Sequence, residues 1–230
     1  MCSSPPMNEI SPEAMEAVLR RPKPGLPAQL EMAPVPRPGT IDYPNIPPDC
    51  VPAAVLILIY PRDGAPHLVF IRRPSASVHH KDQIAFPGGQ IEGSETPVEA
   101  ALREAEEEVG VRPSQVRVAG SLTPLYIPPS RYCVSPIVGL AADTPAFVPF
   151  PEEVAEILEV PLSLFLDKRN ERVEQRTPFG VPLDVYFYRF GEHEIWGATA
   201  AILRAFLLSL RQSLEGPSGQ RKSADPKKTL

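Results

Sequence analysis

The sequence predicts an α/β fold in which a mixed β-sheet carries helices packed on its faces. Short runs rich in Val, Ile, Leu, Tyr and Phe recur along the chain, and few helical segments separate them. Those helical segments do not alternate with strands as a regular βαβ array would require. One of them carries clear start and stop signals, which fixes a helix between two strand groups. At 230 residues the chain can bury a substantial core, and one domain with tails is the simplest organisation.

From the N-terminus, Ser11-Pro12-Glu13 opens a short helix that runs through Arg20. Prolines number 31 and cluster over residues 22–52, which reads as an extended wrapping segment or a linker. That segment is expected to clasp either its own domain or the second subunit of a homodimer, and the sequence does not choose. Strands are expected at Val51–Tyr60, His67–Arg72, Val116–Ala119, Val134–Leu140 and Val181–Phe190. A short helix near Pro161–Leu166 and an amphipathic one from Thr199 to Leu210 complete the set. The tail is rich in Gly, Ser, Lys and Pro and reads as disordered. The expected division is residues 1–48 as N-terminal helix and proline-rich segment, 49–212 as the main folded domain, and 213–230 as the tail.

Composition excludes several classes. The net charge of −5 leaves no electrostatic footprint for nucleic acid. The longest apolar run, Ala53 to Tyr60, is too short to span a bilayer, so no membrane partner is expected. No basic start followed by an apolar stretch marks a secretory signal. Cys2, Cys50 and Cys133 are odd in number and scattered, and read as free thiols of a reducing compartment. A cytoplasmic location follows as the expectation.

The informative segment is Gly89 to Val111. Seven glutamates lie between Glu92 and Glu108, with Arg103 the one basic residue among them. Thr96 can cap a helix, Pro97 suits its first position, Glu99 completes a capping box, and Gly110 can end it. Val98, Ala101, Leu102, Ala105 and Val109 fall three or four apart and form an apolar stripe. Glu104 and Glu108 stack one turn apart on another face, with Glu107 close by. Like charges at that spacing repel, so a cation should sit against them, and a hard divalent ion such as Mg²⁺ suits oxygen ligands. A solvated acidic face is the ordinary reading of such a run. Against it stands the preceding Phe86-Pro87-Gly88-Gly89 turn, whose glycines allow close backbone approach to a ligand. Arg103 is near enough to Glu95 to pair with it and fix the loop to the helix.

These residues resemble the Nudix box, Gly-x5-Glu-x7-Arg-Glu-apolar-x-Glu-Glu-x-Gly-apolar. Gly89, Glu95, Arg103, Glu104, Ala105, Glu107, Glu108, Gly110 and Val111 occupy its fixed positions. The resemblance implies an α/β/α sandwich and a hydrolase that cleaves a nucleoside diphosphate linked to another group, using Mg²⁺ or Mn²⁺. The flanks, Arg73 to Gly89, Ser130 to Gly139, Glu153 to Leu162 and Ile195 to Ala200, are similar to those of coenzyme A diphosphatases. Two positions depart from that subfamily: Val78 stands where it usually has an arginine, and Asp82 where it usually has a glycine. Hydrolysis of ADP-ribose or another nucleoside diphosphate sugar therefore stays open beside coenzyme A. A catalytically silent binding module would be expected to lose box glutamates, and none is lost.

Charge then sets the roles. A diphosphate is shielded by its own oxygens, and a carboxylate-held metal ion neutralises them and acidifies a bound water. Glu104 and Glu108 are the expected principal ligands, with Glu107 joining directly or through water, and the Gly88 or Gly89 backbone offering a carbonyl. The resemblance suggests a general base from a later loop; Glu153 fits, with Glu152 and Glu156 as competitors and an acidic helix cap as its alternative reading. Arg103 and Glu95 orient the loop. Substrate phosphates would want cations, for which Arg72, Arg73, His80, Lys81 and Arg131 are candidates; Tyr126, Tyr132 and Trp196 are candidates to stack on a base. Glu107→Gln or Glu108→Gln should each abolish most turnover while leaving the circular-dichroism spectrum unchanged; near-normal rates in both would overturn the metal assignment.

Overall fold

β1 (Val51–Arg62) is the axis of the molecule, and its composition explains why. From Ala53 to Tyr60 it is apolar on both sides of the pleat, so it can only be stable with both faces covered. Ala54, Leu56, Leu58 and Tyr60 enter one core; Ala53, Ile57 and Ile59 enter another. The computed structural model describes residues 11–35, 47–74, 82–177, 180 and 182–214.

β1 runs parallel to β7 (Tyr132–Leu140) over its length, from Val51 opposite Tyr132 to Ile59 opposite Leu140. On its other side it pairs antiparallel with β2 (Ala65–Arg72) and, nearer its start, with β4 (Gly88–Gln90). β2 also pairs with β3 (Ile84–Ala85) and with β8 (Glu156–Pro161). β5 (Arg117–Ser121) and β6 (Leu125–Ile127) both pair antiparallel with β7, completing an eight-stranded mixed sheet. A second sheet is a meander of β9 (Glu171–Arg176), β10 (Leu183–Phe190) and β11 (His193–Trp196).

Helices close both faces of the large sheet. α3 (Pro97–Val109) lays Ala100, Ala101, Ala105 and Val109 on the Leu56 and Leu58 side. Its alanines let the helix axis approach the sheet closely. On the other side α5 (Gly197–Leu214) contributes Ile202, Leu203, Phe206, Leu207 and Leu210, with Met15 and Leu19 of α1 (Pro12–Leu19) beside them. α4 (Leu162–Leu166) places Phe165 edge-on between Phe70 of β2 and Tyr188 of β10, which joins the two sheets.

The expected strands and helices are present with shifts of a few residues at their ends. Four short or polar strands were not expected: β3, β4, β6 and β9 lack an alternating apolar signal, and their partners create them. β11 and β8 were likewise unassigned; β8 occupies the run in which Glu153 was alternatively read as a helix cap, so that alternative is overturned. The proline-rich segment contains a helix, α2 (Gly25–Leu30), rather than being extended throughout. It is bound into the domain, since Gln29 Nε2 donates to the Thr123 carbonyl at 2.8 Å and Glu31 pairs with Arg204 of α5. Residues 36–46, Cys2 and the tail from 215 lie outside the described residues. Among the described residues, no helix is long and apolar enough to cross a membrane.

The cysteine expectation is corrected. Cys50 and Cys133 form a disulfide, with their Cα atoms 5.8 Å apart. They are 83 residues apart in sequence, and only the parallel register of β1 on β7 brings them together. In native protein both cysteines should resist alkylation until reductant is added. Closing so long a loop stabilises by about 2–4 kcal/mol, so dithiothreitol should lower the urea midpoint of the wild type and leave that of Cys133→Ser unmoved.

Candidate active site

Local sequence builds the framework of the site. Thr96 is the N-cap of α3; its hydroxyl accepts from the Glu99 amide, and Glu99 returns a carboxylate to the Thr96 amide at 2.8 Å. Gly110 ends the helix at φ 74°, the left-handed conformation that glycine adopts without strain. Before the helix, Glu95 and Arg103 form a two-point pair, Nε to Oε1 at 2.7 Å and Nη2 to Oε2 at 3.1 Å. Arg103 Nη2 also donates to the Gln90 carbonyl at 3.0 Å, so one guanidinium ties β4, the loop and the helix together.

The carboxylates of Glu104, Glu108 and Glu153 converge, each offering an oxygen within 4.8 Å of the others. Glu108 lies on the buried face of α3 with 1% exposure, contrary to the expectation that the glutamates stand apart from the apolar stripe. Val98 and Leu102, expected in that stripe, are only partly buried, while Ala100 takes a place in it. The Gly88 amide donates to Glu108 Oε2 at 2.8 Å, and Arg73 Nη2 stands 3.6 Å from Oε1. Burial nevertheless pushes the Glu108 carboxyl up to about 8, against the pull of Arg73 and the Gly88 amide, with Glu104 and Glu153 adding repulsion. Burial likewise raises Glu104, opposed by its hydrogen bond from Arg103 Nη1 at 2.9 Å. Acidic residues at the C-terminal end of a helix also face the negative end of its dipole. Three oxygen donors with this unmet negative charge fit a hard divalent cation.

The two glycines of β4 make room for this arrangement. A Cβ on Gly88, at φ 154°, would meet the Ala54 carbonyl oxygen at 2.3 Å. One on Gly89 would lie 2.3 Å from Glu104 Oε1. The loop carrying Glu153 is fastened to the end of α3, where the Val148 amide donates to the Val109 carbonyl and the Phe150 amide to the Glu108 carbonyl, both at 3.0 Å. These bonds use helix-end carbonyls that have no partner within the helix. The far side of the loop is held by the Ala155 amide on the Arg72 carbonyl at 2.9 Å. Sequence reading missed this clamp; the Pro149-Phe150-Pro151 step is its one local trace.

The remaining candidates divide. Glu107 is exposed and its carboxylate binds Arg103 Nη1 at 2.9 Å, outside the three-carboxylate cluster. Glu152 is exposed, and Glu156 is engaged by Arg72 Nε at 2.9 Å and His193 Nε2 at 3.4 Å. Arg72 also pairs with Asp82, and Arg73 donates to the Gly88 carbonyl at 3.2 Å, so both expected phosphate ligands are structural partners here. Arg131 is exposed and paired with Asp49. His80 and Lys81 lie outside the described residues. Tyr126, Tyr132 and Trp196 are half-buried in their strands.

Comparison with known proteins agrees with this geometry. The model of the NUDIX domain matches residues 51–177. The uncharacterized Nudix hydrolase NudL of Photorhabdus laumondii is 41% identical over 152 residues, covering 66% of this chain and 80% of that protein. The mitochondrial Nudix hydrolase 15 of Arabidopsis thaliana is 36% identical over 159 residues, 66% of this chain and 55% of that one. The crystal structure of the M. smegmatis Nudix hydrolase RenU shares the fold, with a TM-score of 0.51 and 22% identity over 70% of this chain and 86% of that one. The chain belongs to the NUDIX family. It is a Nudix pyrophosphatase, an enzyme acting on small nucleotides.

The raised Glu108 carboxyl has a thermodynamic consequence. Between the ordinary value of 4.5 and about 8, the folded protein holds a proton that the unfolded chain releases. Metal-free protein should therefore lose up to about 5 kcal/mol of stability as pH rises through that window. Thermal unfolding in chelator measures this; Mg²⁺ or Mn²⁺ should restore stability at pH 8, and Glu108→Gln should remove most of the pH loss and of the metal response.

Proposed function

We propose that this enzyme hydrolyses the diphosphate of coenzyme A or its thioesters to 3′,5′-ADP and the 4′-phosphopantetheine part, with Mg²⁺ as the favoured ion and Mn²⁺ as its substitute. The observation that carries the hydrolytic reading is the convergence of Glu104, Glu108 and Glu153 beside the Gly88-Gly89 strand. A divalent ion held by Glu104 and Glu108 would screen the substrate oxygens and lower the pKa of a bound water.

The rest is the work of this chain's own groups. Glu153 is exposed on a loop clamped at both ends, so its carboxylate is offered to solvent in a fixed place and suits removal of a proton from the attacking water. Glu108, held by the Gly88 amide, and Glu104, held by Arg103, are the metal carboxylates of this reading. Arg103 and Glu95 keep loop and helix in register so that the carboxylates need not reorganise during turnover. Glu107 serves this reading through Arg103, from whose Nη1 its carboxylate accepts a hydrogen bond at 2.9 Å.

The coenzyme A preference rests on the flanking motifs. Asp82 supports it in an unexpected way: at φ 53° it keeps the left-handed backbone suited to the glycine usual at that position, which aspartate tolerates better than most residues. Its carboxylate pairs with Arg72 Nη1 at 3.1 Å. Val78 favours the second reading, an ADP-ribose or nucleoside diphosphate sugar pyrophosphatase, because it stands where coenzyme A diphosphatases usually have an arginine.

Incubating the protein and Mg²⁺ with coenzyme A and ADP-ribose side by side separates these readings. Release of 3′,5′-ADP with ADP-ribose spared is the expected result. Rapid formation of AMP from ADP-ribose instead would retire the coenzyme A assignment and keep the hydrolase mechanism.

A further inference from the structure

We propose that the outer edge of β9 is a pairing surface for a second copy of this chain, joining the two three-stranded meanders into one six-stranded sheet. β9 is the end strand of its sheet, bonded to β10 on one side; among the described residues nothing pairs with its other edge. The strand is regular over six residues, without proline or bulge, and its charges, Glu171, Arg172, Glu174 and Arg176, admit only a strand of complementary charge at that edge. Val173 is 53% exposed on it, one of few large apolar side chains so exposed.

Symmetry and charge select the partner. Two identical antiparallel strands related by a two-fold axis must place one residue opposite its own copy. With Arg172 on the axis, arginine faces arginine. With Glu174 on the axis, glutamate faces glutamate and Arg172 faces Arg176. With Val173 on the axis, Val173 meets Val173, Arg172 faces the second copy's Glu174 on both sides, and Glu171 faces Gln175. Opposite charges directly across a strand pair stabilise it, and like charges destabilise it. Only the Val173-centred register of these three is free of a like-charge pair.

The ion pairs within the chain agree. Arg172 is exposed and has no ion-pair partner among the described residues. Glu174 is half exposed, with Arg176 Nη2 at 2.7 Å and Arg189 Nη2 at 3.6 Å. Pairing would bring the unmatched Arg172 to this carboxylate from the open side. The contact is small for a protein interface, so association is expected to be weak and to depend on salt.

Sedimentation velocity over a concentration series tests the proposal, with wild type, Arg172→Glu and Glu174→Arg compared. Wild type should shift from monomer to dimer as concentration rises, less so at high salt. Each single reversal places like charges across the two-fold and should raise the dissociation constant by roughly tenfold or more. An equimolar mixture of the two variants should recover the dimer, because both pairs between positions 172 and 174 are then opposite in sign; misfolded variants would not recover it. Hydrolase rates should stay at the wild-type value in both. A wild type that stays monomeric, single variants that dimerise as well as wild type, or a mixture that fails to recover the dimer would each overturn the proposal.

Discussion

A carboxylate taken out of water is the constraint on which the site is built. Glu108 is among the few charged side chains buried in the core, and it sits beside two further carboxylates. Burying one ionised group is costly, and doing so near others of the same sign is costlier. The surroundings answer in three ways: the Gly88 amide and Arg73 meet Glu108, Arg103 meets Glu104, and the remaining negative charge is left for a cation. The site is thus an electrostatic strain that a bound cation would relieve, and such binding would couple affinity for the ion to the stability of the fold.

That strain can be held because its supports belong to rigid elements. β4 is hydrogen-bonded to β1, the most buried strand, and α3 packs its alanines on the same sheet. The Glu153 loop hangs from the carbonyls at the end of α3 on one side and from β2 on the other. Two of the carboxylates therefore come from one helix and the third from a distant loop, yet all are referred to one sheet. The segment before the family-matched region takes part in the same framework. Arg117 of β5 pairs with Glu13 and Glu16 of α1, and Gln29 holds the Thr123 carbonyl.

Much of this was legible before any coordinates. The capping box of Thr96 and Glu99, the helix end at Gly110, and the pairing of Arg103 with Glu95 are contacts within a few turns of chain, set by residue type and spacing. β1 declared itself through an unbroken apolar run. β4 and β9 were invisible for the opposite reason: Gly88-Gly89-Gln90 and the charged run from Glu171 to Arg176 have no strand signal of their own and are strands because a neighbour offers hydrogen bonds. The cysteines show the same limit, since Cys50 and Cys133 meet only through the β1–β7 register.

The sequence by itself determined the family, the helix that carries the glutamates and the sign of the charge they would bind. Helical periodicity and box spacing are local properties, and they survive without knowledge of what packs where. Only the tertiary structure decided which carboxylates converge. It buried Glu108, turned Glu107 out toward Arg103, brought Glu153 from 45 residues beyond Glu108, and used Arg72 and Arg73 as supports rather than free cations. Those outcomes depend on how α3 is rotated against the sheet and how a distant loop closes on its end, and both are set by long-range packing.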